Sequence, residues 1–257
     1  MYDDDDDDDD RPRPRGRWVR GLLFVSSAAM FALLVRSSFR HPWIGLVMFA
    51  AATAYLGWRW WKKTRVVRML RRGDVEEILA HWSNSLDTIP HAETMAPLMT
   101  ATAFAAYGRV EDARRALATA ARGPAWDAAL EHRLFLDTIL STFEGESEQA
   151  RELAQRLNSL PMPNNDEIRD RVSTLRQAVA AMVRAFEHRS DVGDVARLEA
   201  ASEKSPLVHW AMRYAAAIVA IDHGMREKAR ELIDKAPRWP EESAFRSFHE
   251  EISGVLG

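Results

Sequence analysis

From residue 64 onward, apolar side chains recur three and four positions apart between turn residues, and no alternating β-branched run interrupts them. A period near 3.6 predicts amphipathic helices rather than strands. The pattern places helices near 58–72, 74–85, 92–107, 110–121, 125–143, 146–159, 165–189, 192–203, 206–223, 225–236 and 241–253. The expected fold class is therefore all-α. Pro90, Pro124, Pro161, Pro206 and Pro240 punctuate the junctions. A proline there fits the first turn of the following helix, where its missing N–H costs nothing.

The front of the chain follows a different pattern. Trp18 to Val35 is apolar except for Arg20, Ser26 and Ser27, and Pro42 to Trp61 except for Thr53 and Arg59. Both have the length of a bilayer-spanning helix. With only residues 36–41 between them, they predict a transmembrane helical hairpin over residues 18–61. Arginines and lysines crowd the outer flanks, whereas the short loop holds Arg36 and Arg40. The excess of positive charge on the flanks predicts an inner-membrane, multi-pass protein with both termini cytosolic. Trp18, Trp58, Trp60 and Trp61, with Lys62 and Lys63, are then expected at one membrane interface and Trp43 at the other. A cleaved signal peptide is disfavoured, because eight aspartates precede the first apolar run and no small-residue cleavage pattern follows it before Arg36. Residues 1–17 join that acidic run to an alternating Arg-Pro segment and are expected to be a disordered tail.

Three segments of the remaining chain, 62–257, repeat one arrangement: a glycine, then a charged helical start with alanine five residues on. They are Gly108 with Ala113, Gly145 with Ala150, and Gly224 with Ala229. Glycine ends one helix, and the small alanine admits close packing of the next. A weaker unit has Gly73 and Ile78, with Trp82 and Pro90 beyond, and another has Asp191 in the glycine position before Ala196. The junctions at 73, 108, 145, 191 and 224 imply an insertion in the 165–189 helix. Together with Ala120, Pro124, Pro161, Ala236 and Pro240, these residues give a region that resembles tetratricopeptide (TPR) repeats. The family's Trp-Leu-Gly-Tyr pattern is mostly missing. The resemblance implies an α-solenoid of antiparallel helix pairs whose first helices line a concave, partner-binding surface. Its inward positions are Met95, Leu98 and Thr102; His132, Phe135, Ile139 and Phe143; His188 and Arg189; and Tyr214, Ile218 and Ile221. The leading partner-binding candidates are His132, Phe135, Ile139, Phe143, Tyr214 and Ile218, set against the plainer reading that aromatic and branched residues at this spacing fill a core.

Composition narrows the function classes. There is no cysteine among 257 residues, which excludes disulfides and thiolate metal sites. Residues 73–257 carry 30 Asp+Glu against 21 Lys+Arg, an acidic balance unsuited to nucleic acid. His249-Glu250-Glu251 lacks the second histidine of a zinc-protease helix, and no phosphate-binding glycine loop or Gly-x-Ser-x-Gly elbow is present. No cofactor, metal or small-molecule substrate is suggested, and the chain does not read as an enzyme. The expectation is a membrane-anchored scaffold that recruits a protein partner into an envelope or secretion assembly, with the lipid bilayer as its other contact. An extracytoplasmic repeat protein acting in envelope biogenesis or quality control is the alternative. A small transporter subunit is less favoured.

Overall fold

The computed structural model describes residues 42–86 and 88–257. These form twelve α-helices and one 3₁₀ turn, with no strand among the described residues, so the fold class is all-α. Two compact units are distinguished, residues 1–64 and 65–257. The first is represented by most of α1 (Pro42–Arg71).

The expected transmembrane hairpin is overturned at this helix. Among the described residues, none of the helices is long and apolar enough to cross a membrane. α1 has the length, at 30 residues or about 45 Å, but not the hydropathy. Its strongly apolar side chains up to Trp61 are confined to Ile44, Leu46, Val47, Met48, Phe49 and Leu56. Alanine, glycine, threonine, tyrosine, tryptophan and Arg59 dilute the rest, and the helix runs on through Lys62, Lys63, Arg65 and Arg68. The inner-membrane, multi-pass localisation falls with it. Trp43, Trp58, Trp60 and Trp61 are exposed on α1, Trp43 to 65%. Lys62 and Lys63 simply continue the helix. The first apolar run, its loop, Trp18 and the acidic tail lie outside the described residues.

The second unit continues through α2 (Val75–Leu86), α3 (Ala92–Ala106), α4 (Val110–Ala118), α5 (Pro124–Ala128), α6 (Leu130–Phe143) and α7 (Ser147–Ser159). It is completed by α8 (Asp166–Phe186), α9 (Asp194–Lys204), the 3₁₀ turn Pro206–Val208, α10 (His209–Asp222), α11 (Arg226–Ile233) and α12 (Ala244–Leu256). Sequence neighbours pack on one another: α3 on α4, α6 on α7, α7 on α8, α9 on α10 and α10 on α11. Three-residue turns between α3 and α4, α6 and α7, and α10 and α11 leave no length for anything but reversal. The second helices bury narrow alanine-leucine stripes, such as Ala150, Ala154 and Leu157 on α7, and start with acidic residues that favour the positive end of the helix dipole. α10 is the most enclosed helix, burying ten of its fourteen residues.

One helix-ending device recurs. Arg109 N–H donates to Phe104 O, Glu146 to Ser141, Arg189 to Arg184 and Met225 to Ala220, each across five residues. These are Schellman closures, which need a left-handed residue at the penultimate position. Gly108, Gly145 and Gly224 supply it with φ of 69°, 77° and 75°, and His188 supplies the fourth with φ of 54°. The fourth junction therefore lies at His188, not at Asp191. Ala196, expected in the packing slot, is exposed, and Val195 and Leu198 are buried instead. The extra length lies in α8, with 21 residues against 15 in α3 and 14 in α6.

The end of the unit packs back on its beginning. Ser243 Oγ donates to Tyr107 O at 2.6 Å, and Ala244 N–H donates to Gly108 O at 2.9 Å. Trp210 Nε1 donates to Arg71 O, and Tyr107 Oη donates to Leu70 O. Trp239 and Phe245 close an aromatic cluster with Tyr107, Phe143, Trp210 and Tyr214.

Candidate functional site

The inward residues expected on α3, α6 and α10 divide into two groups, separated by α12. The first group is covered. Phe143 meets Phe245 at 5.4 Å and Phe248 at 5.6 Å between ring centroids. Tyr214 stacks on Phe245 at 5.2 Å and is only 1% exposed. Its hydroxyl accepts the Trp239 indole N–H at 2.6 Å and faces His249 Nδ1 at 3.1 Å. Burial raises the Tyr214 hydroxyl well above the ordinary tyrosine range. Tyr214 is thus a core residue and Phe143 a partly buried one, so neither is open to a partner in this conformation. Ile218, with Ile221, His188 and Phe248, lines a shallow recess of about 290 Å³ between α8, α10 and α12. Leu98 is fully buried against Ala113 and Leu117 of α4.

The second group borders a cavity, although Ile139 itself is only 4% exposed. His132, Phe135 and Ile139 on α6, with Thr102 on α3, line a cavity of about 440 Å³. Val172, Leu175 and Arg176 of α8 face them, and Ser205, Leu207, Val208 and Ala211 complete the wall from the start of α10. Ala128 of α5 is exposed at the cavity. The spacing of Glu131, His132, Phe135 and Ile139 explains their convergence: positions three and four apart share one side of a helix. The volume falls within the range of ordinary ligand pockets, and the walls are mostly apolar.

Polar groups enter the cavity at two points. At the first, Thr102 Oγ1 donates to Leu98 O at 2.8 Å and stands 2.7 Å from His132 Nε2. The threonine proton is engaged by the carbonyl, so the arrangement that satisfies both contacts has Nε2–H donating to Oγ1. Nδ1 is then the unprotonated nitrogen. Burial lowers the His132 pKa, which keeps the ring neutral at pH 7.

At the second point Arg176, 2% exposed, lies under the cavity floor. Its Nε and Nη2 both donate to Glu131 Oε1, at 2.9 and 2.8 Å. Nη1 donates to Leu160 O at 2.7 Å and to Met162 Sδ at 3.7 Å, and Nη2 also to Pro161 O at 3.3 Å. All five guanidinium protons are spent, so Arg176 holds the α7–α8 connection together and has no donor left for a ligand. A buried guanidinium needs its partner, and Glu131 is half-exposed with only one oxygen committed to the pair.

Sequence reasoning placed His132, Phe135, Ile139 and Thr102 at a shared surface but did not count Glu131 or Arg176 among the inward positions. The missed signal was present. Val172, Arg176, Val179 and Val183 form one helical stripe, and a charge inside an apolar stripe marks a buried polar contact. No local pattern foretold that Trp239, Phe245 and Phe248 would cover Phe143 and Tyr214. Compared with known proteins, the chain matches no protein-family model, no curated protein and no solved structure.

Proposed function

We propose that this protein is a non-catalytic interaction scaffold built from TPR-like helix pairs, which receives a segment of a partner protein at the cavity between α3, α6 and α8. The observation that carries this reading is the open apolar recess at His132, Phe135 and Ile139, beside a groove half that α12 already fills. Recurring Schellman turns and the buried Ala113, Ala150 and Ala229 support the repeat assignment. An apolar recess ringed by few polar groups suits one or two anchoring side chains, which dominate affinity in protein interfaces. The acidic balance of residues 73–257 favours a basic partner segment over nucleic acid. Absence of a membrane-crossing helix among the described residues removes the anchor from this reading, not the recruiting role.

The test compares partner capture by the full chain, by Ala128→Leu and by Val255→Asp. Ala128→Leu adds bulk at the cavity, whereas Val255 lines the recess beside Ile218. Loss of a captured protein in Ala128→Leu alone, with circular dichroism unchanged in both variants, is the expected result. Equal capture by all three would overturn the assignment of the surface.

A further inference from the structure

The cavity is selective in hydrogen-bond sense. Every donor of Arg176 is engaged, and the Thr102 hydroxyl proton is given to Leu98 O. Of the polar atoms on Thr102, Glu131, His132 and Arg176, those left over accept. Glu131 Oε2 receives no hydrogen bond among the described residues, because Oε1 takes both arginine contacts. In the tautomer that satisfies both Thr102 contacts, His132 Nδ1 is the bare nitrogen and Nε2–H is used on Thr102. The two residues are adjacent on α6, at the same wall. Around them stand Phe135, Leu136, Leu175, Leu207 and Val208, which offer apolar contact only, and Ser205 at the far wall adds a hydroxyl that can donate or accept.

A ligand group seated against Glu131 and His132 must bring protons, carry no negative charge, and be mounted on an apolar stem. An alcohol satisfies one acceptor. A carboxylate would face a second carboxylate and a nitrogen lone pair, with no free guanidinium to compensate. A primary ammonium has three donors and a positive charge, and gains from charge-assisted bonding at a partly desolvated carboxylate. We infer that the cavity between α3, α6 and α8 is a binding site for an alkylammonium group, its carbon stem against Phe135 and Leu175 and its nitrogen between Glu131 and His132.

The same chemistry is offered by a free aliphatic amine or by a lysine side chain of a partner segment. The second source rests on the scaffold reading above, and the first does not. Both are separated in one experiment on the full chain. n-Hexylammonium, n-hexanol and n-hexanoate, which share a stem and differ in head group, are titrated while the Phe135 ring at the cavity wall is followed by NMR. Hexylammonium is expected to bind at least tenfold tighter than hexanol, and hexanoate not to saturate. Ala128→Leu should lose both the amine and the alcohol. Glu131→Gln retains an acceptor for Arg176 and should bring hexylammonium to within a few-fold of hexanol. His132→Phe, which leaves Glu131 intact, should weaken the amine several-fold and the alcohol little. Acetyl-Leu-Lys-Leu-amide is then added in competition. Displacement of the amine assigns the site to a lysine, and failure to displace it leaves a free-amine site and removes the peptide-docking role. Equal binding of the three head groups, preference for hexanoate, or no saturable binding of any would overturn the inference itself.

Discussion

Ser243 donates its hydroxyl proton to the carbonyl of Tyr107, 136 residues earlier, and the same oxygen accepts the backbone N–H of Phe245. One buried side chain thereby caps α12 and ties it to the turn that ends α3. Removing it strands both a carbonyl and an N–H. Ser243→Ala is expected to cost about 1–3 kcal/mol, the range for a lost cap and an unsatisfied buried group, in urea unfolding of the full chain. No change in midpoint would show that the contact contributes nothing.

Gly108 sits under the same junction. It adopts φ of 69°, and an added Cβ would stand 2.9 Å from Ser243 Oγ and 3.1 Å from the backbone nitrogen of Phe245. Gly145 and Gly224 share the left-handed conformation but face open space. Gly145→Ala and Gly224→Ala should each cost about 1–2 kcal/mol from conformation alone. Gly108→Ala should cost clearly more, because α12 must also shift. Equal losses at the three sites would show that α12 does not bear on this turn.

His188 performs the glycine role with a Cβ. Its imidazole Nδ1 lies 2.9 Å from Asp222 Oδ1 on a largely exposed surface, a contact of small worth. His188→Gly is expected to stabilise the protein by up to about 1 kcal/mol in thermal unfolding, by removing left-handed strain. Destabilisation would mean that the Asp222 contact outweighs the backbone term.

Tyr214 and Phe135 were indistinguishable as groove candidates, yet they differ in what surrounds them. Tyr214→Ala should cost about 3–5 kcal/mol, as large buried aromatics do. Phe135, half-buried at the cavity wall, should cost markedly less, about 1–2 kcal/mol on the area it keeps from water. Matching losses would make Phe135 a core residue.

Acid should weaken the fold through His209. Burial depresses its pKa to about 4 against the Ser202 carbonyl, which pulls the other way, and the nearby Arg71 and Arg213 depress it further. The folded state thus holds the ring neutral while the unfolded chain binds a proton below its ordinary value of 6.5. The contribution is complete above pH 6.5 and is lost as pH falls toward 4, with a slope of up to about 1.4 kcal/mol per pH unit. Lowering of the His132 pKa acts in the same sense. Urea unfolding across this range should show the slope, and His209→Gln should flatten it.

Local signals carried the helices, three of the four turn positions and the convergence of His132, Phe135 and Ile139, because periodicity and glycine conformation act within a few residues. The fourth turn was hidden because His188 tolerates a conformation that glycine advertises. Closure by Trp239, Phe245 and Phe248 was hidden because it joins residues in different helices, 25 positions apart at Tyr214 and far more at Phe143, beyond the reach of helical periodicity. The membrane reading failed on α1 because length and flanking charge were weighed above the modest hydropathy of alanine and tryptophan.

The central claim is that a partner binds at the α3–α6–α8 cavity and not on the surface beside α12. A photo-crosslinking amino acid placed at Ala128, at the cavity, and separately at Val255, beside α12, tests it in the full chain. The account predicts a discrete adduct from position 128, absent from position 255 and suppressed by excess n-hexylammonium. An adduct from 255 alone, or one from 128 that the amine leaves untouched, would contradict it.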